Sequence, residues 1–580
     1  LPYSYAGTMG LVQSESIAAR FFHQLGASLL DRTICASAGA EALTQTLGNK
    51  VGMPVRMFAQ SQLIVIWGSN SIGSHLHFWR IAQEAKRQGA RLVCIDPRKS
   101  ETADKCHEHI AIRPGTDAAL ALTLMHELIV NGWLDQDYID RYTLGWEGLR
   151  ERALQWSPER AAEVCGVPVA KIRQLAQDWG TTPAAAIRLN YGMQRVRGGG
   201  NAVRAVACLP ALTGAWRHPG GGLLMSSSGH FPVRRAALQR PDLLGQRRPR
   251  TINMSTIGDD LLRPASPEFG PQIEALIVYN SNPVAVAPES GKVVQGFARE
   301  DLFTVVLEHF QTDTADHADF ILPATTQLEH WDIHTSYGHT DVLLNRPAIA
   351  PVGQARTNTD IFRALAQRMG FDDPCFAESD ESLCRSAIGD ADDFEQLLAH
   401  GFVSLPLPDA PFALGGFPTP SGRCEFFSQR LVDQGLDGWP DHVPNYEVPQ
   451  AGGRYPLAMI SPPARNFLNS TFVNVQSLRD IEAEPVLEMH PQDAAERGIA
   501  DGVVVRVFND RGQYHCKARI NQRARSGVVN GLGIWWRKLG LNGTNVNELT
   551  SQHLTDLGRA PVFYDCLVQV ALVDTAATPV

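Results

Sequence analysis

Residues 63–98 read LIVIWGSNSIGSHLHFWRIAQEAKRQGARLVCIDPR. The opening apolar run, Leu63–Trp67, is too short for a helix and stops at a turn of Gly68, Ser69 and Asn70, the pattern of a buried strand. Phe78, Ile81, Ala82 and Ala85 then fall on one helical face, with Gly89 placed to end the helix. Arg91–Ile95 is a second apolar strand, closed by Asp96, Pro97 and Arg98. The unit is therefore strand, helix, strand, with polar residues at the carboxyl end of each strand, where open parallel sheets bind nucleotides. Gly68 and Gly73 fit neither the GxGxxG dinucleotide fingerprint nor a P-loop, so an ordinary NAD or ATP site is not expected. A crossover with no ligand is the plain alternative.

The unit recurs. A strand over 276–279 runs into Asn280, Ser281 and Asn282, and the next strand, from Phe303, ends at Glu308. Glu308 follows Asn282 at the same separation at which Asp96 follows Asn70. Pro114, Gly115, Thr116 and Asp117 are matched to Pro323, Ala324, Thr325 and Thr326. Two nucleotide-type units imply two nucleotide-like ligands, or one ligand held by both.

The segments WGSNS, IDPRKSETA, RPGTD, YNSNP, QTDTADHADFILPATTQLE and NVNELTS, in this order, resemble the catalytic subunit of molybdopterin oxidoreductases of the dimethyl sulfoxide reductase type. The resemblance covers essentially the whole chain. It implies an α/β fold class: two interleaved Rossmann-like parallel-sheet domains plus a C-terminal β-barrel. The implied domains are 1–30 with 226–365, an inserted domain 31–225, an irregular interface region 366–450, and a dinucleotide-binding barrel 451–580. The implied cofactor is molybdenum or tungsten with two molybdopterin guanine dinucleotides, one per α/β domain. Relatives also carry a [4Fe-4S] cluster on an N-terminal cysteine-rich segment, and its ligands are not in this chain.

The resemblance places Cys35, in LLDRTICASAGA, at the position of the metal ligand. A soft thiolate suits molybdenum beside dithiolenes, and coordination keeps it deprotonated. Ala36 stands where formate dehydrogenases of the family carry His, which argues against formate as substrate. Read from the residues alone, a lone cysteine among Ala, Ile and Ser is a buried filler. The dinucleotides would be held by Gly68, Ser69, Asn70, Asp96, Arg98, Gly115, Asp117 and Gly192 in the inserted domain, and by Asn280, Ser281, Asn282, Gln311, Thr312 and Asp313 in the other. Asn469, Ser470, Trp535 and Asn547 would contribute from the barrel. Asp96 and Asp117 are carboxylates able to accept from ribose hydroxyls or guanine N–H groups; helix capping and turn formation are their ordinary uses.

The 580 residues carry a net charge of -9, which argues against nucleic-acid binding, and no apolar run reaches the length of a membrane span. The ten cysteines contain no CxxC, so they read as reduced thiols of a cytoplasmic protein; a leader before Leu1 would instead make it periplasmic. Helices are expected over 15–25, 117–131, 168–180, 202–214 and 360–370. YGMQRVRGGG, residues 191–200, is expected to leave glycine amides open to an anion, with Arg195, Arg197 and Arg204 adding charge. His330 and His334 have the spacing of a helical metal pair, but the Thr, Ser and Gly around them indicate a loop rather than a zinc site. His334 is instead the candidate for proton transfer near the metal. From residue 455, alternating Val503, Val505 and Val507, a turn over 509–512 and a return strand announce the barrel.

The expected activity is a two-electron oxidation or reduction of a small-molecule substrate by oxo or hydride-equivalent transfer. An iron–sulfur electron-transfer subunit or domain is the expected partner. The alternatives are a non-redox hydratase or transhydroxylase on the same scaffold, and a metal-free structural subunit of a redox complex.

Overall fold

The computed structural model describes residues 1–573; residues 574–580 of the expected barrel domain lie outside the described residues. The chain divides into two compact units, Leu1–Arg32 with His230–Pro406, and Thr33–Gly229 with Leu407–Val580.

In the second unit a five-stranded parallel sheet runs in the order Glu108–Ile110, Arg91–Ile95, Leu63–Trp67, Ala185–Leu189 and Gly222–Leu224. Leu63–Trp67 lies at its centre and is buried along its whole length, which is why its sequence is unbroken apolar rather than alternating. Each of Ile64, Val65 and Ile66 contributes roughly 1.5–3 kcal/mol by leaving water. The helix Leu76–Arg87 buries Phe78, Ala82 and Ala85, as the periodicity predicts.

The first unit holds a four-stranded parallel sheet in the order Pro2–Ser4, Ala275–Tyr279, Phe303–Glu308 and Phe320–Pro323. Its strands repeat those of the other unit at a constant offset along the chain. Leu63 becomes Ala275, Arg91 becomes Phe303, and the paired residues Ile95 and Ile110 become the paired Leu307 and Leu322. The turn residue Gly68, at φ +62°, becomes Asn280 at φ +54°, so both copies need the left-handed conformation there. The place of Ala185–Leu189 is taken by Pro2–Ser4, so the repeat is permuted. This offset corrects one expectation: Pro114 corresponds to Thr326, not to Pro323, and the PGTD segment matches the stretch that begins at Thr326.

The same hydrogen bonds hold the turn in both copies. Asn70 Oδ1 accepts from Thr102 Oγ1 at 2.9 Å and Thr102 N at 3.3 Å, and Thr102 Oγ1 accepts from Ile72 N at 3.0 Å. Asn282 Oδ1 accepts from Thr314 Oγ1 at 2.7 Å and Thr314 N at 3.2 Å, and Thr314 Oγ1 accepts from Val284 N at 3.1 Å.

The barrel is closed, in the order Leu457–Ile460, Val528–Leu532, Val486–Met489, Gln513–Ile520, Val504–Phe508 and Leu567–Leu572. Within this unit the buried Glu488 of the barrel takes a bidentate pair of bonds from Arg98, at 2.7 and 2.9 Å, and a third from Asn530 Nδ2 at 3.0 Å. The chain thus has the α/β class with two parallel sheets and a C-terminal barrel that its sequence implies.

Four local expectations change. The helix over 15–25 is two helices, Leu11–Glu15 and Ile17–Leu25, broken at Ser16. The stretch 366–450 is not irregular throughout: Asp380–Ile388 and Ala391–His400 are helices, capped by Ser379 and Asp390 and ended by the left-handed Gly389 and Gly401. The glycines of 198–200 do not form an open nest of amides: those of Gly199 and Gly200 are both taken, the first by the carbonyl of Val196 at 2.9 Å. The helix begins at Gly199, and Asp556 accepts from Gly200 N at 2.9 Å and Asn201 N at 3.0 Å, a carboxylate of the chain itself filling the anion's place. Arg204 is fully buried and donates to the carbonyls of Phe426 and Gly438.

Asn70→Ala removes the acceptor shared by two Thr102 donors and is expected to cost about 1–3 kcal/mol. Hydrogen exchange of the Thr102 amide in native protein should quicken, and Asn282→Ala should do the same at Thr314.

Candidate molybdopterin site

In the unit that carries the barrel, the candidate residues gather at the carboxyl edge of the five-stranded sheet. Asp117 begins the helix Asp117–Val130 and is buried, with Oδ1 accepting from the indole Nε1 of Trp67 at 2.7 Å. Asp96 follows Ile95, and its Oδ1 accepts from Arg98 N at 2.9 Å. Burial pushes both carboxyls up, Asp96 to about 6 and Asp117 to about 7, and the proximity of Asp96 adds to the effect on Asp117. The bond from Arg98 N and its nearby positive charge offset part of the rise at Asp96, although the guanidinium itself is bonded to Glu488.

Backbone approaches close around them. Gly192 N donates to Gly68 O at 3.2 Å, and a Cβ on Gly192 would lie 2.7 Å from that oxygen. In the repeat, a Cβ on Gly7 would lie 2.5 Å from the Cβ of Asn280. Ser69 Oγ lies 3.0 Å from Ser71 Oγ and accepts from Asn190 Nδ2 at 3.3 Å. Gly115 lies against Asn445, whose buried Oδ1 has no hydrogen-bond partner among the described residues.

The barrel candidates are spread out. Asn469 is exposed at φ +51°, beside Ser470, whose carbonyl accepts from Trp536 Nε1 at 2.7 Å. Trp535 is buried edge-on to Phe467, with ring centroids 5.1 Å apart, and Asn547 is buried next to a bond from Asn545 Nδ2 to the Trp535 carbonyl.

Cys35 lies in the loop before the helix Ser37–Leu47. It is half-buried, as is Cys106, whereas the other eight cysteines are buried. Gln194 Nε2 donates to the Cys35 carbonyl, and Arg195 Nη1 donates to the Ile34 carbonyl at 3.4 Å.

In the other unit, Asn280 donates through Nδ2 to Ser14 Oγ at 2.9 Å. Ser281 is half-buried beside Asn282, whose Nδ2 is buried without a hydrogen-bond partner among the described residues. Glu308 is pushed up by burial, as Asp96 is in the first copy. Gln311 Nε2 donates to Asp316 Oδ1 at 2.8 Å, Thr312 Oγ1 accepts from Ala315 N at 3.2 Å, and Asp313 is buried. His334 ends the strand Asp332–His334, while the buried His330 shares a hydrogen bond with Thr325 Oγ1 at 2.9 Å. The two histidines therefore do not share a helix. Burial holds the imidazole of His334 below its usual range.

Residues 4–368 match the model of the molybdopterin oxidoreductase family, and residues 457–567 match that of the molydopterin dinucleotide binding domain. The chain belongs to the molybdopterin oxidoreductase family, of the dimethyl sulfoxide reductase type. It is similar to "Probable oxidoreductase YoaE" of Bacillus subtilis (strain 168), with 39% identity over 98% of this chain and 83% of the relative. It is 30% identical to the dimethyl sulfoxide/trimethylamine N-oxide reductase of Cereibacter sphaeroides, over 81% of this chain and 65% of that protein. In fold it resembles the acetylene hydratase from Pelobacter acetylenicus, at a TM-score of 0.81 and 20% identity, over 98% of this chain and 84% of that one. This molybdopterin-dependent oxidoreductase accordingly takes a molybdenum or tungsten pterin cofactor. The residues present fit such a group in each unit taken by itself: in the barrel-bearing unit, a half-buried cysteine and acceptor oxygens on Asp96 and Asp117 that no cation bonds among the described residues; in the other unit, an orphaned buried donor on Asn282. Among the described residues, no helix is long and apolar enough to cross a membrane.

The sequence alone does not single out Thr102, Thr314, Trp67 or Gln194. The two threonines do leave a signal, since each follows its asparagine at the same separation in the two repeats.

Because the folded carboxyl of Asp117 titrates near 7 and an unfolded one near 4, its neutral form stabilises the fold below pH 4. That contribution is lost as the pH rises through 7. Asp117→Asn keeps an oxygen for Trp67. Urea unfolding of cofactor-free protein at pH 5 and pH 8 should show the wild type losing about 1–3 kcal/mol more than the variant.

Proposed function

We propose that this oxidoreductase catalyses a two-electron oxidation or reduction of a small molecule, with Cys35 as the protein ligand to the metal and two molybdopterin guanine dinucleotides holding it. When bound, the cofactor supplies a metal that cycles between the +6 and +4 states. The observation that carries the reading is the setting of Cys35: a residue only partly buried, on a loop at the start of a helix, inside the family-matched region, whereas most of the chain's cysteines are buried.

The remaining residues bind and orient. Asp96 and Asp117 present carboxylate oxygens suited to the N–H and O–H donors of a guanine nucleotide. The matched turns at Gly68, Ser69, Asn70 and at Asn280, Ser281, Asn282 support one dinucleotide per unit. Gln311, Thr312 and Asp313 follow the second strand of their repeat, Phe303–Glu308, as the corresponding loop with Arg98 follows Arg91–Ile95, the second strand of the other. Arg98 acts through Glu488, fixing the Asp96 loop against the barrel. Gly115, Gly192, Asn469, Ser470, Trp535 and Asn547 are assigned to the same binding role. His334, kept neutral by burial, is the candidate to accept a proton. An iron–sulfur subunit or domain is the proposed electron partner, because a two-electron turnover needs a donor or acceptor for its electrons beyond the substrate.

Holoenzyme should reduce dimethyl sulfoxide or trimethylamine N-oxide with a reduced viologen dye, and show a paramagnetic metal signal during turnover. Hydration of acetylene without any change in metal redox state would place the protein with the non-redox reading. Cys35→Ala should lower turnover about a hundredfold or more and abolish or shift the metal signal; wild-type metal content and signal in that variant would remove Cys35 from its role.

A further inference from the structure

Helix Ser37–Leu47 has Ala36 at its N-cap, so it lacks the side-chain acceptor that normally serves the first free amides. Gln194 supplies it from a distant segment. Its side chain is buried, with Oε1 accepting from Gly39 N at 2.6 Å while Nε2 donates to the carbonyl of Cys35. Gly39 is the third helical residue, so one primary amide bridges residues 35 and 39 and closes a ring around Cys35.

We infer that Gln194 is the positioning residue for Cys35, its carboxamide acting as a cap divided between the helix and the thiol's own peptide group. The inference rests on the reading of Cys35 as metal ligand. With the Cys35 carbonyl held by Gln194 on one side and the Ile34 carbonyl held by Arg195 on the other, the backbone rotations at Cys35 are restricted, and with them the direction of the Cα–Cβ bond that carries the sulfur. Among the described residues Gln194 is the one side chain hydrogen-bonded to Cys35. Neighbouring bonds hold adjacent residues: Ser37 Oγ donates to Thr33 O at 2.9 Å, and Arg195 reaches Ile34.

The chemistry selects an amide. A carboxylate at 194 would accept from Gly39 but set negative charge against the Cys35 carbonyl, and an aliphatic side chain would serve neither group. The surroundings fix the amide in turn. A Cβ on Gly39 would lie 2.7 Å from Gln194 Oε1 and would also strike the end of Met225, and a Cβ on Gly199 would strike the Gln194 main chain. The Asp556 carboxylate holds the next residues, Gly200 and Asn201, so Gln194 leaves a pinned helix start.

The test begins with cofactor-free full-length protein and iodoacetamide, with labelling of each cysteine followed by peptide mass spectrometry. Gln194→Leu and the near-isosteric Gln194→Glu should each speed alkylation of Cys35 about tenfold while leaving buried Cys94, Cys165 and Cys208 slow. If Gln194→Leu speeds all four thiols, the fold has loosened and Gln194→Glu decides. An unchanged Cys35 rate in Gln194→Glu overturns the inference. In the loaded enzyme, Gln194→Glu should shift the paramagnetic signal of the metal while retaining the metal; an unaltered signal also counts against positioning. Cys35→Ala with wild-type metal content and signal would remove the ligand reading alone, since the alkylation result does not depend on metal.

Discussion

An asparagine carbonyl that serves two donors of one threonine governs the carboxyl edge of both parallel sheets. At Asn70 and Thr102, and again at Asn282 and Thr314, the turn after one strand is tied to the segment after the next. The threonine hydroxyl passes the constraint on by accepting an amide at the start of the short helix beyond the asparagine. One carbonyl oxygen thereby orders two loops, and those loops carry the candidate binding residues of the four-stranded sheet and, with the exception of Gly115, Asp117 and Gly192, those of the five-stranded one. Because the constraint is local to each copy, it survives the permutation that brings Pro2–Ser4 into one sheet and Ala185–Leu189 into the other.

The electrostatics of the edge follow from where the positive charge goes. Arg98 stands two residues from Asp96, yet its guanidinium is bonded to Glu488 on the barrel. Asp96 and Asp117 are left desolvated without a bonded cation, which raises both carboxyls. An edge of this kind suits a ligand rich in N–H and O–H donors better than a bare phosphate. Arg98 still shapes it, by holding the Asp96 loop against a rigid barrel strand.

Much of the fold was legible because its strongest signals are local. Leu63–Trp67 announces a doubly covered strand by its unbroken apolar run, and Val505 and Val507 announce the barrel by alternation. Ser379 with Gly389 and Asp390 with Gly401 also mark helices locally, though the surrounding prolines and glycines obscured them. The glycine run at 198–200 misled for a different reason: the amides of Gly200 and the following Asn201 are satisfied by Asp556, whose distance along the chain gives no local cue. Gln194 is hidden in the same way. Nothing about one glutamine between Met193 and Arg195 reveals that its amide divides between Cys35 and Gly39. Candidate residues could be named from pattern, while the groups that orient them come from tertiary contacts.

The permuted sheet has a consequence for biosynthesis. Pro2–Ser4 pairs with Ile277–Tyr279, so this edge strand leaves the ribosome long before its neighbour exists. At translation speeds of about 5–20 residues per second the wait is roughly 15–55 s. The whole five-stranded sheet, through Leu224, is synthesised within that interval. The nascent chain must keep a short β segment unpaired while a complete sheet with open edges emerges behind it, a period in which a holding chaperone would have an evident client.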